Sequence, residues 1–321
     1  MTRPKPGFAL PTRDGVGASC VNLPQVSIAG SEGGAWPTVL DFLAAHFHRI
    51  PRADWAARMT QGDVLDAVGK ALAVSQVYLP GTKLYYFRQP PPELPVPFTE
   101  TVLFQDEHLL VADKPHFLPV VPSGRYLQET LLVRLKRKLG LNDLVPLHRI
   151  DRDTAGLVLF SVNPASRGAY AALFRERHIA KQYEAIAPWR ADVALPQVYR
   201  SRVVESDAFM QMTETPGTPN AETHIALLTT EGARAPHLAP HLARYRLAPL
   251  TGYRHQLRVQ MAALGIPILN DRIYPVLHPE LALGEAPDYS RPLQLLAQSL
   301  AFEDPLTGAL RTFESQLVLK I

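Results

Sequence analysis

The sequence predicts an α+β protein: a mixed or antiparallel β-sheet domain with flanking helices, preceded by a small α/β domain. Three observations carry this. After residue 98, strand-like and helix-like runs follow one another without the regular βα repetition of a doubly wound sheet. The segment "RQPPPELPVP" (88–97) holds five prolines, cannot donate ladder hydrogen bonds and favours an extended form, so it divides the chain. Hydrophobic residues make up 46% of the 321, enough for a core on each side of that division.

Residues 1–35 are rich in Pro, Gly, Ser and Thr and read as an irregular extension. In "TVLDFLAAHFHRI", Val39, Leu40, Leu43, Ala44 and Phe47 recur at helical spacing, and Pro51 stops that helix. "RADWAARMTQGDV" reads as a second helix ending near Gly62, and "GTKLYYFRQ" as a strand leaving a turn glycine. These elements define a small unit over 36–88, with a linker over 89–97 and a large domain over 98–321.

In the large domain, "TVLFQDEHLLVADKP" predicts two strands about a turn at Asp106 and Glu107. "YLQETLLVRLKRKLG" predicts a helix with Leu127, Leu131, Leu135 and Leu139 on one face and Gly140 as its cap. "GLVLFSV" reads as a buried strand. In "NPASRGAYAALFRER", Asn163 as N-cap and Pro164 at the first helical position signal a helix start. "KQYEAIA" is a strand, "RHQLRVQMAALG" a helix ended by Gly265, and "LQLLAQSLAFEDP" and "RTFESQLVLKI" supply further strands.

Lys plus Arg number 33 and Asp plus Glu 30, a net charge of +3, so clustering of charge matters more than its sum. A single cysteine, Cys20, can form no internal disulfide, which favours a reducing compartment. The basic N-terminus has no apolar stretch of secretory type, and no run of about 18 apolar residues suggests a membrane span. A cytoplasmic location is expected. No Walker loop or dinucleotide glycine loop is present, and His and Cys spacing suggests no zinc site, so no cofactor and no metal are expected.

The stretch "PLHRIDRDTAGLVLFS" (146–161) sets Arg149, Asp151, Arg152 and Asp153 against an apolar run. Buried charge is costly unless paired, so this is either a structural ion pair or a working site. A positioned carboxylate such as Asp151 can serve as nucleophile or general base. Asp153 is its competitor, Thr154 can hold the loop through its hydroxyl, and Gly156 permits close backbone approach. In "TGYRHQLRVQ" (251–260), a helix starting near Arg254 would put Arg254, Arg258 and Met261 on one face, and one arginine could partner a distant carboxylate. Lys181 and Tyr183 lie two apart on a strand and share a sheet face. "DKPHFLPVVPSG" (113–124) reads as a rigid loop after Lys114 and Pro115.

Taken together these motifs resemble the RluA-type RNA pseudouridine synthases. The family's His-Arg-Leu-Asp, two variable residues, Thr-Ser/Ala-Gly-Leu is matched by His148-Arg149-Ile150-Asp151-Arg152-Asp153-Thr154-Ala155-Gly156-Leu157. Lys114-Pro115 matches an upstream motif, Lys181 and Tyr183 the Lys-x-Tyr strand, and His255-Gln256-Leu257-Arg258 a His-Gln-Ile/Leu-Arg motif followed by "GIPILND". The motifs keep the family order from about Val102 to Pro305. The small unit resembles a degenerate S4-type RNA-binding module, placed where many members carry one. Departures fall at Tyr253, Arg254, Ile266, Asn270 and Leu296, around the catalytic pair rather than in it.

The resemblance implies isomerisation of uridine to pseudouridine: the N1–C1′ bond breaks, the uracil turns and C5 joins C1′. Asp151 would be the catalytic aspartate, Arg258 its partner, and Tyr183 would lie against the uracil. Arg149 would contact RNA or lever the nucleotide out, while His148, Thr154, Gly156, His255 and Gln256 would support the site, His148 also lying toward RNA. Phosphate contacts would come from Lys114, Arg152, Lys181, Arg254 and the cluster Arg134, Lys136, Arg137 and Lys138, with Arg175, Arg177 and His178 as further candidates. The target base must be flipped out of its stack, and the apolar strand beside the charged loop supplies a water-poor pocket. The expected partner is RNA, 23S ribosomal RNA ahead of transfer RNA, and the expected state is a monomer. Two alternatives stand beside this: a catalytically idle RNA-binding protein on the same fold, and a carboxylate-dependent glycosidic-bond hydrolase, which needs a second catalytic acid.

Overall fold

The computed structural model describes residues 12–13, 15–25, 36–89, 93–208, 210–231, 241–279, 281–282 and 285–320. The chain divides into two compact units, Met1–Pro91 and Pro92–Ile321.

The first unit contains β1 (Thr12–Arg13), β2 (Val16–Gly17), β3 (Ser19–Asn22), α1 (Val39–His46), α2 (Arg52–Thr60), β4 (Val64–Leu65) and β5 (Lys83–Tyr86). Thr38 caps α1, its hydroxyl accepting from the Asp41 amide at 3.2 Å. Both helices bury one face, through Leu40, Phe42, Leu43, Trp55 and Met59, against Leu84 of β5. The expectation of an irregular stretch over 1–35 is corrected where the chain is described. β3 pairs antiparallel with β5, and Leu23 is buried in the same core. Residues 1–11 and 26–35 of that stretch lie outside the described residues.

The second unit contains β6 (Thr101–Gln105), β7 (Leu109–Lys114), α3 (Leu131–Leu139), β8 (Val145–Pro146), β9 (Ala155–Ser161), α4 (Arg167–Arg175) and β10 (Ile179–Pro188). It continues with β11 (Gln197–Ser201), β12 (Val203–Glu205), β13 (Met212–Glu214), β14 (Ala221–Glu231), β15 (Leu242–Pro249), α5 (Gln256–Ala263), β16 (Leu295–Glu303) and β17 (Leu310–Glu314). Its main sheet runs β11-β14-β15-β10-β16-β9-β7-β6, with β17 beside β16 and β8 beside β9. β9 and β16 pair in parallel, while the other described pairs in the sheet are antiparallel. This is the mixed α+β architecture the sequence predicts.

The apolar run of β9 is buried on both faces, which is why it does not alternate. Val158 and Phe160 pack with Leu110 and Ala112 of β7 under Leu131 and Leu135 of α3. Leu157 and Leu159 pack with Leu109 and Val111 against Tyr170 and Leu173 of α4. A third core lies between α5 (Leu257, Met261) and the β10, β14 and β15 face, through Ala185, Ile225, Tyr245 and Leu247. Each large side chain buried here contributes roughly 1.5–3 kcal/mol.

Helix starts differ from the sequence reading in three places. α3 begins at Leu131, behind the Thr130 N-cap, so Leu127 precedes it; Gly140 closes it in the left-handed conformation, as expected. α4 begins at Arg167 with Ser166 as N-cap, while Asn163 instead accepts from the Ala165 amide at 2.9 Å. α5 begins at Gln256, so Arg254 is not on a helical face with Arg258.

The proline-rich stretch is not a free spacer where it is described. Glu93 accepts from the amides of Gln128 and Glu129, and Val96 is buried in the α3 core. Residues 90–92 lie outside the described residues.

Candidate active site

One row of residues crosses five strands at the sheet's centre. Lys114 of β7 pairs with Gly156 of β9, Gly156 with Ala297 of β16, Ala297 with Tyr183 of β10, and Tyr183 with Leu247 of β15. Gly156 has φ +107°. A Cβ there would lie 2.7 Å from the Ala297 nitrogen and closer still to its oxygen, so only glycine lets β9 approach β16 in parallel. The loop leading into β9 carries Asp151, close enough to Tyr183 for its charge to act on the phenol. The register between β10 and β16 shifts between Gln182 and Tyr183, leaving Gln298 of β16 as the extra residue.

Asp151 is 29% exposed at its side chain. Its Oδ2 accepts from Arg258 Nη1 at 2.9 Å. Arg258, only 2% exposed, turns its other edge to Asp271: Nε donates to Oδ2 at 2.8 Å and Nη2 to Oδ1 at 2.7 Å. Asp271, 1% exposed, also accepts from the amides of Ile273 and Tyr274 through Oδ1. One guanidinium thus spans two carboxylates, one sealed and one open to solvent.

α5 is fastened by side-chain amides. Gln256 accepts from the Thr251 hydroxyl at 2.8 Å and the Tyr253 amide, and donates to the Glu222 carbonyl and the Thr223 hydroxyl. Gln260 accepts from Thr223 and donates to Ser201. Arg258 is held at a fixed height between them. His255 sits just before the helix with φ +53°; its Nε2 lies 3.8 Å from Asp151 Oδ2 and its Nδ1 3.1 Å from the Tyr274 hydroxyl.

The loop that carries Asp151 is tied to its neighbours. Lys114 Nζ donates to the carbonyls of Pro115 at 2.9 Å and Arg152 at 3.0 Å. His116 Nδ1 donates to the Asp153 carbonyl at 2.7 Å, and the Thr154 amide donates to the Asp151 carbonyl. Arg152 pairs with Asp153 through two bonds, at 2.8 and 3.2 Å. Burial raises the Asp153 carboxyl, but the charge of Arg152 and its hydrogen bonds outweigh burial and hold it below the usual range. Burial pushes the Lys114 ammonium down to about 7 against the pull of Asp153 and Asp151. Burial, and then the charge of Asp151, raise the Tyr183 phenol, which keeps it protonated.

Several residues expected to reach RNA make bonds within the protein. Lys114 is fully buried and spends its donors on carbonyls. Arg134 braces the entry to the unit, bonding the carbonyls of Val96 and Phe98 and pairing with Glu129 and Glu100. His148 accepts the Leu159 amide on Nε2 at 3.0 Å and stacks on Phe174. Burial and then Lys181 push its imidazole down to about 3, so it is neutral. Arg152 is committed to Asp153. Lys181 is half-buried and donates to the Thr251 carbonyl, and Arg254 is exposed but bonds the Met210 carbonyl. Arg149, Arg137 and Lys138 are exposed, with Lys136 partly so. Arg175, Arg177 and His178 are exposed at the end of α4.

The geometry joins Asp151, Arg258 and Tyr183, and adds two residues to which sequence reasoning gave no role, Asp271 and Tyr274. Residues 108–263 match the profile of the RNA pseudouridylate synthase family. The dual-specificity RNA pseudouridine synthase RluA of Haemophilus influenzae is 33% identical over 224 residues, covering 67% of this chain and 92% of that protein. This chain belongs to the RluA-type RNA pseudouridine synthases. An uncharacterized RNA pseudouridine synthase of Synechocystis sp. is 30% identical over 243 residues, covering 74% of this chain and 79% of that protein. The human RNA pseudouridylate synthase domain containing 1 structure shares the fold, with a TM-score of 0.54 at 20% identity over 68% of this chain and 83% of that one. The protein is therefore an RNA pseudouridine synthase, an isomerase acting on RNA uridine.

Proposed function

We propose that this synthase isomerises a uridine in structured RNA by base flipping and an aspartate-dependent glycosidic cleavage at Asp151. The observation that carries this reading is a half-open carboxylate with one oxygen fixed by a buried arginine, beside a partly buried, protonated tyrosine. With Oδ2 held by Arg258, Oδ1 is the oxygen left to act at the sugar, as nucleophile at C1′ or as base at C2′. The N1–C1′ bond breaks, the uracil turns against the Tyr183 ring, C5 joins C1′, the C5 proton leaves to water and N1 takes up a proton from water. No atom is lost and no redox partner is required.

The hydrolase alternative needs a second acid, and Asp153 is unsuited because both its oxygens are held by Arg152. The idle-binder alternative leaves unexplained why a buried arginine is spent on a solvent-facing carboxylate. Arg149, Lys136, Arg137 and Lys138 supply the exposed phosphate contacts. The small unit adds RNA affinity, and its resemblance to an S4-type module favours 23S ribosomal RNA ahead of transfer RNA. The enzyme works as a cytoplasmic monomer.

The test is pseudouridine mapping of total RNA, by carbodiimide adducts and primer extension, from cells with and without the gene, rescued by wild type or Asp151→Asn. A site lost on deletion and restored only by wild type is expected. A site restored by Asp151→Asn would remove Asp151 from the chemistry.

A further inference from the structure

The groups around Asp151 close into a ring. Asp151 bonds Arg258, Arg258 bonds Asp271, and Asp271 accepts the Tyr274 amide. The Tyr274 hydroxyl meets His255 Nδ1, and His255 Nε2 faces Asp151. His255 was expected only to support the site, and Tyr274 had no expected role.

The donors around Tyr274 fix where the His255 proton lies. The Met212 amide donates to the Tyr274 hydroxyl oxygen at 2.7 Å. A phenol that has accepted there still has one proton to give, and His255 Nδ1 stands 3.1 Å away. If Nδ1 is the acceptor, the ring proton is on Nε2, aimed at Asp151 Oδ2 3.8 Å away. The opposite tautomer would point an Nε2 lone pair at a carboxylate and deprive the phenol proton of that acceptor, so both contacts select the same tautomer. Burial keeps the Tyr274 phenol protonated and the His255 ring neutral. His255 also holds a left-handed backbone conformation, uncommon for a residue with a side chain, which directs the ring inward ahead of α5.

We propose that His255 is a positioning residue for Asp151: Tyr274 fixes its proton on Nε2, and this N–H closes on Oδ2 when RNA fills the pocket, so that Oδ1 alone faces the sugar. The present spacing is longer than a hydrogen bond, as catalytic contacts often are before substrate binds. Arg258 and His255 then grip the same oxygen from two sides, and the carboxylate cannot rotate to offer Arg258 both oxygens. The inference rests on Asp151 being the catalytic aspartate.

Two measurements on the full-length enzyme test it. The first is a long-range proton–nitrogen spectrum of histidine-labelled protein without RNA, with the His255 signal assigned by its loss in His255→Gln. The Nε2–H tautomer is expected, passing to a mixture in Tyr274→Phe. An Nδ1–H tautomer in wild type would overturn the proposal.

The second is single-turnover tritium release from transfer RNA and 23S ribosomal RNA transcripts labelled at uracil C5, with RNA affinity measured beside it. Tyr274→Phe and His255→Ala should slow release by roughly 10- to 100-fold, the loss common for groups that orient a reacting side chain. RNA affinity should hold within about twofold, and His255→Gln, which keeps a donor near Nε2, should recover part of the rate. Wild-type rates in both Tyr274→Phe and His255→Ala would refute the role, as would losses confined to affinity. Asp151→Asn run alongside separates the two readings: if it retains activity, the assignment of Asp151 itself falls.

Discussion

Replacing Asp271 by alanine is the sharpest structural perturbation available, because it strikes a residue whose entire role is internal. The side chain receives two bonds from Arg258 and two from backbone amides, all at 2.7 to 3.1 Å. In Asp271→Ala, Arg258 keeps only its bond to Asp151, and two amides lose their acceptor. Breaking a buried ion pair from one side costs about 3–5 kcal/mol. For a unit of this size each kcal/mol lowers the melting temperature by about 2–4 °C, so a fall of about 6–20 °C is expected. Calorimetry reads that shift directly. Below the new transition, tritium release should also fall, by about 100-fold or more, because the freed Arg258 edge turns to Asp151 and captures the oxygen meant for the sugar. Asp271→Asn, which keeps the shape and one acceptor, should lie between. A melting temperature within about 1 °C of wild type in Asp271→Ala would show that the pair bears no such load, and would refute the reasoning.

Gly156→Ala should destabilise the large unit by about 2–4 kcal/mol, since the new methyl meets the Ala297 backbone and φ is unfavourable; an unchanged denaturation midpoint contradicts this. His148 is held neutral with its folded pKa far below the unfolded value. The unfolded chain therefore gains a proton first as pH falls from about 6.5 toward 3, and stability is lost across that window. His148→Gln should flatten this part of the urea-midpoint profile, and an unaltered slope would exclude the effect. Replacing Lys136, Arg137 and Lys138 together by glutamine should weaken RNA binding and reduce its salt dependence by up to about three phosphate contacts. Arg134→Gln should lower thermal stability instead, and the reverse pattern would contradict the division between outer and inner faces of α3.

The residues proposed for the chemistry were legible because they stand in motifs. Asp151, Arg258 and Tyr183 lie in three separate motifs, and the fold brings Arg258 against Asp151 and Asp151 near Tyr183. The elements nearest them were legible through hydrophobic runs, as in β7 and β9, whose two buried faces leave no alternation to misread. β14 and β15 went unassigned, although Ala243, Tyr245, Leu247 and Pro249 alternate as buried residues and Arg244 and Arg246 mark the other face, so the period-2 signal of β15 stood in the sequence. Asp271 closes the matched stretch "GIPILND" but was given no role, since a carboxylate in a loop looks solvated until its partner is known. Three cations expected at RNA are engaged within the fold. Lys114 and Arg134 carry long side chains that reach carbonyls and carboxylates the sequence pattern does not reveal. Arg152 pairs with Asp153, its neighbour in the chain, and Lys114 also bonds the adjacent Pro115 carbonyl.

The central claim is that Asp151 performs the isomerisation while the rest of the ring only holds it. The direct measurement is single-turnover tritium release by wild type and Asp151→Asn on the same C5-labelled transcripts, with RNA binding and melting temperature recorded for both. The account predicts no release above background from Asp151→Asn, with binding and folding retained. Release at or near the wild-type rate would contradict it.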